Sequence, residues 1–188
     1  MGRGCRIHDG RCAAWQEYNG VCARAWQRRW KGSFRHVNLT VFVGDQSSRV
    51  DLQRVLREGR GGYDAIVEDG GHTMLQNQVS LSVLFPALKP GAWYTVEDLQ
   101  TSYMTGHGGF KNFSTLSLLG DMMAWLSGDP SEENLAALDF GHIMPDIEHV
   151  DCYTEICVLQ KYRAGEAPAS TRARRRSTLP TIRRQREG

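Results

Sequence analysis

The 188-residue sequence predicts an α/β domain built on a mostly parallel sheet, and three features carry that prediction. Apolar, β-branched runs at 38–43, 63–67 and 93–96 alternate with segments of helical periodicity at 47–59 and 75–83. Crossovers of helical length suit parallel strands, buried on both faces and joined right-handedly. Two later runs, 147–150 and 156–160, are close enough in sequence to form an antiparallel hairpin at the sheet edge.

Taken in order, Asn38 to Val43 reads as a buried strand that ends at Gly44 and Asp45. Ser47 or Ser48 can cap the following helix, in which Leu52, Val55 and Leu56 share a face before Gly59, Gly61 and Gly62 stop it. A second strand runs from Tyr63 to Val67. Leu75, Val79 and Val83 restore the helical period, and Pro86 with Pro90-Gly91 marks the exit into a third strand, Trp93 to Val96. Between Ser114 and Ser127, Leu116, Leu119, Met123 and Leu126 line one face of a further helix that Gly128-Asp129-Pro130 terminates. Ser131, Glu132 and Glu133 then suit the first turn of a short helix, where acids complement the dipole. Residues 151–155 would form the loop of the closing hairpin.

Length and a hydrophobic content of 40% allow one globular domain with a sizeable core. The expected division is an unassigned basic segment at 1–36, the α/β domain at 37–162 and a disordered Arg-rich tail at 163–188. Eight Lys or Arg lie in the first segment and eight Arg in the last, which leaves 7 basic against 17 acidic residues between them. So acidic a middle argues against nucleic acid as its partner. The tail's arginines have no interleaved aromatics of the kind that stack on single strands. Neither a membrane-spanning apolar run nor a secretory signal is visible, and the expectation is a cytoplasmic protein. Cys5, Cys12, Cys22, Cys152 and Cys157 match no metal or disulfide framework and read as free thiols.

Chemistry concentrates where an open α/β sheet places its ligands, at the carboxyl ends of the strands. The second strand runs into Glu68-Asp69-Gly70-Gly71-His72 and the third into Glu97-Asp98. Adjacent strands are about 4.8 Å apart, so these groups can converge although a whole crossover separates them. Like-charge repulsion then calls for a counterion. No Lys or Arg occurs between Arg60 and Lys89 or between Lys89 and Lys111, and oxygen ligands favour a hard divalent cation. The alternative from spacing alone is a set of solvated strand-end acids, with His72 ordering the Gly70-Gly71 turn.

Four motifs, Val43-Gly44-Asp45-Gln46, Glu68 to His72, Leu84 to Gly91 and Tyr94 to Tyr103, occur in the order found in one family. The chain resembles the metal-dependent sugar O-methyltransferases of the macrocin and mycinamicin type, which are class I S-adenosylmethionine enzymes with a Rossmann-like sheet. The similarity extends weakly through Phe110-Lys111-Asn112 and the Tyr153 to Lys161 strand. It implies Asp69, Glu97 and Asp98 as Mg²⁺ ligands, His72 as general base, and Asp45 with Gln46 as the turn meeting the adenine. Tyr103 and the Gly106 to Gly109 loop would cover the site, while Asp64 and Glu68 would be structural or support the ligands.

The resemblance also implies an earlier strand ending in a glycine-rich loop for the methionine and ribose, which residues 1–36 do not show. The first βαβ unit of the family is therefore expected to be missing, and the chain by itself to bind S-adenosylmethionine poorly. The function implied is Mg²⁺-dependent O-methylation of a sugar or other polyhydroxylated small molecule, with self-association left open. The competing class is a non-catalytic, methyltransferase-like binding or scaffold protein.

Overall fold

Tyr63–Asp69 and Leu88–Val96 form a parallel pair at the heart of the sheet, and their alternating burial shows how the chain is layered. The computed structural model describes residues 4–8, 11–15, 39–40, 42, 44–109, 114–128 and 140–166. In chain order the strands are β1 (Gly4–His8), β2 (Arg11–Trp15), β3 (Leu39–Thr40), β4 (Tyr63–Asp69), β5 (Leu88–Val96), β6 (Ile147–Tyr153) and β7 (Ile156–Lys161). The helices are α1 (Arg49–Glu58), α2 (Met74–Leu84) and α3 (Thr115–Leu126). Across the sheet the order is β3-β2-β1-β4-β5-β7-β6. Strands β1, β4 and β5 are mutually parallel, and every other pairing is antiparallel.

Each helix begins at a hydroxyl that satisfies an otherwise unpaired backbone donor. Ser48 accepts from Asp51 N, Thr73 from Gln76 N and Ser114 from Ser117 N. At Thr73 the bond is reciprocal, because Gln76 Oε1 accepts from Thr73 N, which completes a capping box that fixes where α2 starts. Arg60, Gly61 and Gly62 then turn with positive φ between α1 and β4.

One face of the sheet carries the core. Ile66, Tyr94, Val96, Cys157 and Leu159 pack there against Leu52 and Val55 of α1, Leu81 and Leu84 of α2, and Leu118, Leu119 and Met122 of α3. On the other face the cross-strand row Val67, Thr95 and Val158 is only half-buried, and Trp93 beside it is exposed. Burial on both faces, expected from the crossovers, is thus not found among the described residues. The described helices contribute their buried side chains to a single face.

Two strand expectations are corrected. The parallel neighbour of β4 is not the 38–43 run but β1, within the segment that composition left unassigned. Leu39–Thr40 is a two-residue strand that lies antiparallel to β2 near the sheet edge. A short-range signal was present, because the residues between the paired His8 and Arg11 are Asp9-Gly10, a dipeptide that favours two-residue hairpins. Strand β5 also begins earlier than its apolar run suggests, with Pro90 and Gly91 inside it and a register shift between Tyr63 and Ala65 that accommodates them. The short helix expected at Ser131 and the tail from 167 onward lie outside the described residues.

Cys152 and Cys157 face each other across the β6–β7 hairpin and are joined by a disulfide, which corrects their reading as free thiols. The sequence hid this because residues 151–155 looked like one loop. The turn is only Thr154 and Glu155, so β6 extends through Cys152 and brings it opposite Cys157. The side chains of Cys5, Cys12 and Cys22 lie outside the description. Closing so short a loop constrains the unfolded chain by about 2 kcal/mol. Adding a dithiol reductant should therefore lower the melting temperature of the wild-type protein but not that of a C152S/C157S variant. Among the described residues, no helix is long and apolar enough to cross a membrane.

Candidate metal and catalytic site

Register places the site. Because Glu68 pairs with Val96, Asp69 at the end of β4 and the residues just after β5 emerge together at one edge of the parallel pair. The chain then turns sharply on both strands, with His72 at φ 53° and Asp98 at φ 54°. Left-handed backbone at residues carrying a Cβ costs on the order of 1–3 kcal/mol and persists only where surrounding structure enforces it.

That enforcement is visible as hydrogen bonds. Gly71 N donates to Gln46 Oε1 at 3.0 Å, and Glu97 N donates to Glu68 O at 2.9 Å. After Asp98, Leu99 N donates to Glu155 O in the β6–β7 turn at 2.9 Å, so the disulfide-bonded hairpin braces this side. Asp98 O accepts from Thr101 Oγ1 at 2.7 Å, and Asp98 Oδ1 accepts from Gln100 Nε2 at 3.0 Å.

Asp69, His72 and Asp98 each present a ligand atom, and these atoms all lie within 4.8 Å of one another. His72 Nε2 is 3.2 Å from Asp98 Oδ2 and 3.9 Å from Asp69 Oδ1. The ring's Nδ1 is buried, which leaves Nε2 as the nitrogen presented to the carboxylates. Glu97 stands next in sequence, but its carboxylate does not join this group. Two carboxylates and an imidazole form an oxygen-rich donor set that suits a divalent cation.

Behind the cluster, Glu68 is fully buried. Its carboxylate accepts from Gln46 Nε2 and, at 3.1 Å, from Gly70 N. With its amide nitrogen turned toward them, Asn77 donates to Glu68 Oε2 at 2.9 Å and to Thr73 O at 3.3 Å. Burial pushes the Glu68 carboxyl from its ordinary 4.5 up to about 7; the Gln46 and Gly70 hydrogen bonds pull it down, while the charges of Asp69 and Glu97 push it further up.

The sign of the pH effect follows from the raised value. Between about 4.5 and about 7 the folded protein holds a proton at Glu68 that the unfolded chain has released. This contribution to stability is therefore complete below 4.5 and is lost as pH rises through about 7. Its full size is about 3 kcal/mol. Chemical denaturation at pH 5 and pH 8 should show the wild type losing up to about that much more stability than E68Q over the interval.

The remaining sequence candidates lie elsewhere. Asp45 is exposed, and its Oδ1 accepts from Ser47 N at 2.8 Å and Ser47 Oγ at 2.6 Å. Gln46 is buried, with both ends of its amide engaged by Glu68 and Gly71. Asp64 pairs with Lys89 at 2.8 Å, away from the cluster. Tyr103 is 74% exposed, and Gly109 N folds its loop back onto Met104 O at 3.1 Å. Phe110, Lys111 and Asn112 lie outside the described residues. Sequence reasoning missed Asn77 and Gln100, since a polar residue on an apolar helix or in a short turn announces no partner.

No protein-family model matches the chain. Among curated proteins it is 30% identical over 134 residues to 8-demethyl-8-(2-methoxy-alpha-L-rhamnosyl)-tetracenomycin-C 3'-O-methyltransferase of Streptomyces olivaceus, covering 65% of this chain and 32% of the relative. It is 26% identical over 148 residues to mycinamicin VI 2''-O-methyltransferase of Micromonospora griseorubida, covering 75% and 36%. A structure of the MycE methyltransferase of the mycinamycin biosynthetic pathway, in complex with Mg, SAH and mycinamycin VI, superposes with a TM-score of 0.63 at 22% identity. That match covers 79% of this chain and 38% of MycE and establishes a methyltransferase fold. The chain spans about a third of the length of the curated relatives it matches. By sequence, then, the chain is similar to sugar O-methyltransferases of the macrolide and tetracenomycin pathways, and its fold is a methyltransferase fold.

Proposed function

We propose that this chain carries the acceptor side of an S-adenosylmethionine-dependent, Mg²⁺-assisted O-methyltransferase acting on a sugar or similar polyhydroxylated small molecule. The observation that carries the reading is the convergence of Asp69, His72 and Asp98 at the strand ends of a methyltransferase fold. The reading is supported by relatives named as O-methyltransferases of a rhamnosyl tetracenomycin and of mycinamicin VI, and by the MycE structure, which holds Mg with SAH.

In this reading Asp69 and Asp98 would hold Mg²⁺, while Glu97, whose carboxylate stands outside their group, would not be a direct ligand in this geometry. The bound cation would orient the acceptor hydroxyl and favour its deprotonation. His72 accepts the hydroxyl proton at Nε2, which lies 3.2 Å from Asp98 Oδ2. The hydroxyl oxygen forms its new bond to the methyl carbon as the sulfur–methyl bond breaks, so S-adenosylhomocysteine leaves neutral at sulfur. The turn at Asp45 and Gln46 would meet the adenine, with the Gln46 side-chain amide itself taken up by Glu68 and Gly71. Contact between Gln46 and Gly71 sets their turn beside the acceptor side.

The test is transfer of labelled methyl from S-adenosylmethionine to a rhamnosylated polyketide bearing free vicinal hydroxyls. The expected product is a mono-O-methyl sugar, formed with Mg²⁺ and suppressed by EDTA. Cofactor binding without any Mg²⁺-dependent transfer across a panel of glycosides would overturn the proposal.

A further inference from the structure

We infer that Glu68, with Gln46 and Asn77, is a positioning unit that holds the Gly70–Gly71–His72 turn in the geometry that brings His72 to Asp69 and Asp98. Its link to cation binding rests on the proposed function; the link to the turn stands on the hydrogen bonds alone.

A buried carboxylate is costly unless each acceptor finds a donor, and an apolar residue would fill the same space more cheaply. Here the donors come from three separate parts of the chain. Gln46 precedes α1, Gly70 follows β4, and Asn77 lies within α2. Glu68 thus links the strand to a helix and a preceding loop at the point where the backbone leaves β4.

The consequence for the site is geometric. Two of the turn's consecutive amides are held by this unit, Gly70 N on Glu68 Oε1 and Gly71 N on Gln46 Oε1. The next residue is His72, whose left-handed φ of 53° requires external enforcement. A Cβ at 71 would displace the Gln76 amide of the capping box, which is itself tied to Thr73. The turn is therefore pinned from the Glu68 side and from the α2 cap, and His72 Nε2 is left facing the carboxylates.

Gln46 serves this unit with its whole amide, whereas an adenine contact would need one end of that amide or its backbone. The hydrogen bonds of Glu68 and Gln46 run to each other and to the Gly70 and Gly71 amides, so the unit acts through the turn.

The experiment compares wild type, E68M, Q46M, E68Q and D69N as full chains, with two readouts: amide hydrogen exchange at Gly70 and Gly71, and Mn²⁺ affinity by electron paramagnetic resonance. Removing a buried acceptor should accelerate exchange at these two amides roughly 10- to 100-fold relative to amides of β5, and weaken Mn²⁺ binding by about tenfold or more. E68Q keeps an amide oxygen for Gln46 and Gly70 and should restore both readouts to within about threefold. Unchanged exchange at Gly70 and Gly71 in E68M and Q46M would overturn the inference, as would an equal acceleration throughout β4 and β5, which would mark general destabilisation. D69N separates the two claims: it should abolish Mn²⁺ binding while leaving the two amides slow. If D69N binds Mn²⁺ like the wild type, the cation reading fails, and the exchange data still decide the positioning role.

Discussion

Replacing His72 with Asn should lower methyl-transfer turnover by about 10² to 10⁴-fold, the range a positioned general base contributes. Asn is the appropriate replacement because residue 72 sits at φ 53°, a left-handed conformation that Asn tolerates better than most residues. The turn and the Thr73 cap behind it should survive, so the loss is expected in kcat with the acceptor KM little changed. Equal losses in both parameters, with Gly70 and Gly71 exchanging fast, would instead indicate a collapsed turn.

The second large effect concerns the cation. A ligand bound to the folded state at a hundred times its dissociation constant stabilises by about 2.7 kcal/mol, which for a chain of this size raises the melting temperature by roughly 5–10 °C. Mg²⁺ should do this to the wild-type protein, and D69N should show none of the increment. Loss of the increment with an otherwise unchanged melting temperature would separate ligand removal from damage to β4. A Mg²⁺ shift that persists in D69N would place the cation elsewhere.

How far the sequence could be read depended on whether a signal was local. The caps of α1 and α3, the strand at Tyr63 and the positions of Asp69 and His72 follow from periodicity, capping residues and strand ends, all visible within a few residues. Strand order was not local. Nothing near Leu39 shows that it pairs with β2, and nothing near Gly4 shows that β1 lies beside β4. The disulfide depended on a turn of two residues where five looked available. At the site, charge counting gave the acids but not their partition: Glu68 turns inward to Gln46 and Asn77, while Asp69 meets His72 and Asp98. Alternation along β4 is what separates the two, since neighbouring residues face opposite sides of the sheet. The family motif, read as a string, treats these neighbours alike.

The convergence of Asp69 and Asp98 on a single cation is tested most directly by anomalous diffraction from crystals soaked in Mn²⁺ as a stand-in for Mg²⁺. The expected result is one strong peak about 2.1 Å from a carboxylate oxygen of Asp69 and from one of Asp98, absent in D69N crystals. A strong peak elsewhere, or none at concentrations that stabilise the protein in solution, would contradict it.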